Sequence, residues 1–292
     1  MWTEGRVSSE FLSLFGQKGQ RVRVSGVFSS ALYLEGESGR VLLLHDNKYG
    51  FLPFGIGVAD ITILCCKTRA WEGIDGYLDR YSLSFDNHIG IRLKLSWQEP
   101  DRRLVLSQKI LAETIHRGIE KLEAADRGDI CTLISSQPSG ELEKDPFIAA
   151  AREPLTKFRI GMMEKNSNTI RKALLGLLGL GRGLTPSMDD FLLGFLYLLL
   201  TAERAFGYDI PERKLLAEAL RELAPLRTNR YSAAYLLAAV EGGHFSLLDK
   251  LLWTEEPLQE EDMDQLLKVG SGSGKDMLAG AVYGLQYLCP DF

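Results

Sequence analysis

The sequence predicts an α+β protein, with an N-terminal antiparallel β-rich part over residues 1–100 and a C-terminal multi-helix part over residues 101–292. Three observations predict it. In the first third, apolar residues alternate with polar ones, as in strands with one buried and one wet face. From Leu104 onward they recur at helical spacing instead. No strand is followed by a helix in the repeated way that builds a parallel Rossmann sheet.

Val22, Val24 and then Val27 read as a strand. Glu35-Gly36-Glu37-Ser38-Gly39 reads as a hairpin turn, and Arg40-Val41-Leu42-Leu43-Leu44 as the returning strand. Gly50, Pro53, Gly55 and Gly57 mark bends or a bulge. Ile89-Gly90-Ile91-Arg92-Leu93-Lys94-Leu95-Ser96-Trp97 alternates most cleanly. The pattern changes at Glu99-Pro100-Asp101. Leu104, Ile110, Leu111, Ile115, Ile119 and Leu122 then form one helical stripe, ending near Gly128. Gln137-Pro138-Ser139-Gly140 is a loop. Asp145-Pro146 opens a helix with an acid at the cap and proline in the first turn. Further helices are predicted over about 165–178, 187–206, 211–224, 228–240, 244–253, 259–268 and 273–288.

A net charge of -5 and the lack of a basic stripe argue against a general nucleic-acid binder. The four cysteines, Cys65, Cys66, Cys131 and Cys289, have neither disulfide nor metal spacing, which fits a reducing cytoplasmic compartment. Met1-Trp2-Thr3-Glu4-Gly5-Arg6 has no apolar stretch of the signal-peptide kind. The most apolar helix, Phe191 to Ala202, falls short of the ~20 residues that cross a bilayer, so no membrane association is expected and it reads as a buried helix. His45, His88, His116 and His244 have no Cys, Asp or Glu at ligand spacing, and none is assigned to a metal or to catalysis. There is no G-x-S-x-G elbow, Walker loop or dinucleotide fingerprint.

One short pattern occurs twice. Ser187-Met188-Asp189-Asp190-Phe191-Leu192-Leu193-Gly194 is echoed by Ser273-Gly274-Lys275-Asp276-Met277-Leu278-Ala279-Gly280. Gly181-Arg182-Gly183-Leu184-Thr185-Pro186 leads into the first and Gly270-Ser271-Gly272 into the second. Serine with an acid three residues on writes a helix start, so Asp190 and Asp276 are expected to complete capping boxes with Ser187 and Ser273. Two such starts, each with free N–H groups and a positive dipole end, suit an anion. Read plainly, they are only two well-capped helices.

For the anion, the candidate binding residues are Arg182, Gly183, Thr185, Ser187, Ser271 and Ser273. Pro186 restricts Thr185 to an extended conformation and aims its hydroxyl around the helix end. Arg182 is either a bidentate donor or an ordinary surface arginine. Asp189 and Lys275 hold equivalent places, turned roughly 100° from the capping acid. They are the candidate catalytic residues, forming a salt bridge or facing substrate. Asp189 with Asp190 can hold Mg²⁺, or can be a plain acidic pair. No other metal ligands and no cofactor are expected. Gly194, Gly280 and Gly284 let the two helices approach closely, with their starts converging on one pocket. Thr228-Asn229-Arg230-Tyr231-Ser232 is a third candidate region, with Thr228 as the expected cap of the helix that follows. Arg230 in it either reaches an anion or is solvated.

Gly181-x-Gly183-Leu184-Thr185-Pro186-Ser187-x-Asp189-Asp190-Phe191-Leu192-x-Gly194 resembles the signature of the AllH family, formerly a domain of unknown function. Val269-Gly270-Ser271-Gly272-Ser273-Gly274-x-Asp276-Met277-Leu278-x-Gly280 resembles that family's later signature. Thr228, Ser232, Gly242-Gly243 and the stretch Val27 to Leu34 fit as well, so the resemblance covers about residues 20–288. The chain departs from the pattern in three places. Met188 stands where the family usually has glycine, Gly270-Ser271-Gly272-Ser273 replaces a Gly-x-Ser-Ser run, and Lys275 replaces a small polar residue. Met188 would narrow the site or change its ligand.

The resemblance implies a role in purine and allantoin degradation. It implies a subunit of an oxamate carbamoyltransferase, which interconverts oxalurate plus phosphate with oxamate plus carbamoyl phosphate beside FdrA-type and AllG-type subunits. These ligands are small anions. Carbamoyl transfer needs donors aimed at a developing oxyanion, and the chain offers donors with no obvious nucleophile. Two alternatives stand beside it. One is a non-catalytic scaffold or binding subunit whose motifs only cap helices. The other is a stand-alone Mg²⁺-dependent enzyme of phosphorylated metabolites using Asp189 and Asp190. The first reading puts Arg182, Thr185 and Ser187 in an open pocket, the second buries them, and the third places a cation between carboxylates.

Overall fold

A computed structural model describes residues 2–16, 18–28, 30–62, 72–97, 108–125, 130–134, 145–207, 209–252 and 259–290. The expected pattern change at Glu99-Pro100-Asp101, Leu104, Gly128, the loop Gln137-Pro138-Ser139-Gly140, and Cys65 with Cys66 lie outside the described residues. Two compact units emerge, Met1–Asp101 with Gly243–Leu247, and Arg102–Gly242 with Leu248–Phe292.

The first unit contains β1 (Trp2–Ser8), α1 (Ser9–Phe15), β2 (Gln20–Val27), β3 (Ala31–Gly36), β4 (Val41–Asp46), β5 (Gly55–Val58), β6 (Asp75–Leu78), β7 (Ser82–Phe85) and β8 (Gly90–Trp97). The strands close into a barrel in the order β1-β5-β4-β3-β2-β6-β7-β8. The sheet is mixed, which corrects the antiparallel expectation. β1 runs parallel to β8 from Trp2 opposite Gly90, and β4 runs parallel to β5 from Leu43 opposite Gly55. Alternation of apolar residues is the same in either pairing, so it could not reveal these two seams.

An eight-stranded barrel is just wide enough to be filled by side chains. Val22, Val24, Leu32, Leu34, Leu42, Leu44, Ile56, Leu83 and Ile91 are buried. Each contributes about 2 kcal/mol of hydrophobic stabilisation. A bulge in β2 between Val24 and Gly26 shifts the phase, which is why the next valine in the pattern is Val27. The Glu35–Val41 pairing closes the expected hairpin, and Gly39 supplies its positive φ of 74°. Gly55 and Gly57, expected at bends, lie inside β5. A Cβ on Gly55 would come 2.7 Å from His45 Nε2, so that glycine makes room for a buried histidine. Ser246 ties its segment to this unit: its Oγ accepts from the Phe51 N–H at 2.7 Å, and its own N–H donates to the Phe51 carbonyl at 3.0 Å. The His244 N–H donates to the Glu10 carboxylate at 3.0 Å.

Helices make up the second unit: α2 (Gln108–Ala125), α3 (Cys131–Ile134), α4 (Pro146–Met163), α5 (Ser167–Leu177), α6 (Ser187–Phe206), α7 (Pro211–Arg227) and α8 (Arg230–Val240). They continue with α9 (Ser246–Leu252), whose first two residues belong to the first unit, α10 (Glu260–Leu267) and α11 (Ser273–Leu288). Asp145 caps α4, accepting from the Phe147 N–H at 2.7 Å, with Pro146 in the first turn. Thr228 was the expected cap of α8, but Asn229 performs that role, accepting from Tyr231 and Ser232 N–H groups at 2.9 and 3.1 Å. Thr228 instead ends α7, and its hydroxyl is taken by Asp189.

Buried on nearly all sides, α6 forms the centre of this unit. Among the described residues, no helix is long and apolar enough to cross a membrane. Its main partner is α11. A Cβ on Gly194 would overlap the Met277 carbonyl, and one on Gly280 would overlap the Phe191 carbonyl. Phe191 lies four residues into the first motif and Met277 four into the second, so the two contacts are reciprocal, as across a local two-fold axis. Further along, Gly284 meets Leu198, each eleven residues beyond its motif serine. Equal advance along both helices means that they run parallel, with their starts at the same end.

Candidate functional site

The loop from α5 to α6 needs glycine. Gly179, Gly181 and Gly183 have φ of 78°, 124° and 100°, conformations that side chains rarely adopt. This loop curls back on the helix start, so that a Cβ on Gly181 would sit 2.5 Å from Ser187 N. The Met188 N–H donates to the Leu180 carbonyl at 3.0 Å. Among the described residues, none accepts a hydrogen bond from the N–H of Arg182, Gly183 or Ser187.

Neither expected capping box forms. Pro186 and Gly272 occupy the cap positions of α6 and α11, and no side chain caps either helix. Ser187 and Ser273 are the first helical residues instead. From there a hydroxyl cannot reach back over the N–H groups of its own first turn. That frees Asp190 and Asp276 from capping.

Asp189, Asp190 and Asp276 are 1%, 2% and 5% exposed. Asp189 accepts from the Gly179 N–H at 2.8 Å and from the Thr228 hydroxyl. Ser232 stands beside it and favours its charge, although among the described residues the buried Ser232 hydroxyl makes no hydrogen bond of good geometry. Asp190 accepts from the Thr185 hydroxyl at 2.8 Å, and Thr185 Oγ1 lies 2.9 Å from Ser273 Oγ. Thr185 therefore joins the two motifs directly. At the start of α8, Asn229 Nδ2 donates to the Leu184 carbonyl at 2.7 Å. Three helix starts thus gather here, those of α6, α8 and α11.

Three positive helix ends side by side repel one another, and acids in the first turns of α6 and α11 offset this. Burial pushes the Asp190 carboxyl well above the usual carboxylate range. Hydrogen bonds from Thr185 and Ser273 oppose the rise, while the charges of Asp276 and Asp189 add to it. Burial likewise raises Asp189, against hydrogen bonds that favour its charge.

Among the residues expected from the sequence, the structure brings Thr185, Ser273 and Asp190 into one hydrogen-bonded chain. Ser187 and Lys275 are half-buried in the first turns of α6 and α11. Arg182, Gly183 and Ser271 are exposed on the approach loops. Asp189 and Asp190 turn to different partners. Among the described residues, no group of three or more His, Cys, Asp or Glu is placed to hold a metal ion. Gly179 and the role of Thr228 toward Asp189 were missed. Asn229 carried a signal, since asparagine caps helices at least as well as threonine. Chemically, the arrangement offers hydroxyls and free backbone N–H groups to a small oxyanion.

Comparison with curated proteins and with solved structures gives no match. Residues 177–285, which carry both motifs and all three helix starts, match the model of the family described as oxamate carbamoyltransferase subunit AllH.

Proposed function

We propose that the chain is an AllH-like subunit of a carbamoyltransferase, working with partner subunits of the FdrA and AllG types in purine and allantoin degradation in the cytoplasm. It binds a small anion, carbamoyl phosphate, phosphate or oxamate, at the gathered starts of α6, α8 and α11. The observation that carries this reading is the hydrogen bond between Thr185 and Ser273, 88 positions apart, which makes one cluster of the two motifs. The N–H groups of Arg182, Gly183 and Ser187 and the hydroxyls of Ser187, Ser271 and Ser273 donate to the anion. Arg182 and Lys275 supply positive charge. In transfer from carbamoyl phosphate to oxamate, the oxamate nitrogen bonds the carbamoyl carbon, phosphate leaves and the nitrogen loses a proton. These donors stabilise the oxyanion that develops on the carbamoyl group. Asp189 acts through the Gly179 loop and Thr228, which it holds in place.

Calorimetric titration with carbamoyl phosphate, phosphate and oxamate tests the reading. Wild type is expected to bind, and Ser187→Ala to bind about tenfold more weakly, the loss of one hydrogen bond to a charged group. Equal binding by the variant would move the anion away from α6. No binding of any of the three, with or without partner subunits, would remove the reading. A second reading, a non-catalytic scaffold subunit, is favoured by the burial of Asp189, Asp190 and Asp276. It predicts that activity of the assembled subunits survives Ser187→Ala.

A further inference from the structure

We propose that Ser273, Thr185 and Asp190 form a hydroxyl relay that couples anion binding at the gathered helix starts to uptake of one proton by Asp190. This rests on the anion-binding reading above and adds how that site is regulated. Asp190 is buried, whereas Thr185 and Ser273 are half-exposed, so Ser273 is the end of the chain that meets a ligand. In the same cluster the buried Ser232 hydroxyl stands beside Asp189 and favours its charge, with no hydrogen bond of good geometry among the described residues.

Each hydroxyl has one proton to give. An ionised Asp190 can only accept, so Thr185 donates to it and accepts from Ser273. The Ser273 proton is then committed inward, and its lone pairs face the incoming anion. A protonated Asp190 donates instead to Thr185, Thr185 donates to Ser273, and Ser273 turns its proton outward to the anion. No heavy atom moves, and the proton comes from solvent. The charged groups acting on Asp190 are Asp189 on its own helix and Asp276 on α11, both acidic. Basic residues on the same elements are Lys275, half-buried, Arg182, exposed, and Arg230, whose guanidinium lies over the Tyr231 ring. Burial already holds the Asp190 carboxyl toward its protonated form. A bound anion would hold it there more firmly.

The test is calorimetry with oxamate and with sulfate, which keep their charge between about pH 5 and 8, in buffers of different ionisation enthalpy. Wild type is expected to take up close to one proton per anion once Asp190 is ionised, with affinity falling about tenfold per pH unit. Asp190→Asn, whose amide can always donate to Thr185, is expected to bind more tightly than wild type at the alkaline end, with no proton uptake. Thr185→Val, which interrupts the chain, is expected to bind weakly at every pH while keeping the wild-type circular dichroism. Wild-type binding without proton uptake overturns the relay alone. So does an Asp190→Asn protein that is folded but retains the pH dependence or loses binding, or a Thr185→Val protein that behaves as wild type. Absence of wild-type binding to either anion overturns the anion site, and the relay with it.

Discussion

His45 shows how one side chain can make a fold sensitive to acid. Its Nδ1 lies 3.0 Å from the Asp46 carbonyl, while Nε2 is buried against β5 with no hydrogen-bond partner among the described residues. Burial pulls its pKa down from 6.5 to about 4. Between those values the unfolded chain binds the proton and the folded chain does not, so stability rises with pH across that window. It is lost as pH falls from 6.5 toward about 4. The full effect is on the order of 3 kcal/mol. Melting temperatures of wild type and His45→Leu, compared from neutral pH down to about 4, are expected to show the acid loss only in wild type. Parallel curves would mean that His45 titrates as freely in the barrel as in the unfolded chain. This histidine was not legible in the sequence. Its surroundings come from strand pairing, and Gly55 and Gly57 looked like turn residues because their neighbour is remote in the pattern. Asp190 misled in a related way. Ser-x-x-Asp does mark the helix start, but whether serine stands at the cap or one residue later decides what the acid does, and pattern alone does not resolve one residue.

Among the elements, α6 and α11 were the most legible, and their bounds fall where the apolar runs and glycine approaches place them. Their close contact was also readable, because Gly194 and Gly280 stand at equal distances from their serines. The structure adds direction: each glycine meets backbone rather than a side chain that can yield. Gly194→Ala and Gly280→Ala are each expected to cost about 3 kcal/mol in urea unfolding. Gly118→Ala on α2, where the new Cβ would lie 2.6 Å from a Val282 methyl, is a milder insertion. Its gain in helix propensity of about 1 kcal/mol nearly offsets the crowding. If all three variants unfold alike, the α6–α11 contact is not as close as described. In the barrel, the β3–β4 hairpin was legible from its turn. The β1–β8 and β4–β5 seams were not, because a parallel pair has no tight turn to announce it.

On the scale of the whole molecule, strands precede helices in both the sequence pattern and the structure. The pattern shows one change of character along the chain, but Gly243–Leu247, which follows α8, belongs with the barrel unit. Five residues are too few to carry a periodicity. Ser246 is the residue to probe. Ser246→Ala would leave the Phe51 N–H without the hydroxyl it now meets at 2.7 Å. The expected cost is about 1–2 kcal/mol, read as a lower urea midpoint by circular dichroism. An unchanged midpoint would show that the segment adds nothing to the first unit's stability.

That returning segment also bears on how the protein is made. A ribosome delivers the barrel strands first, yet the residues that bond Phe51 and Glu10 emerge only after α8 has been synthesised. At roughly 5–20 residues per second, the nascent barrel waits on the order of ten seconds for its last hydrogen bonds. During that interval the loop around Phe51 and the Glu10 carboxylate lie open to solvent and to chaperones, although β1 to β8 have already been made.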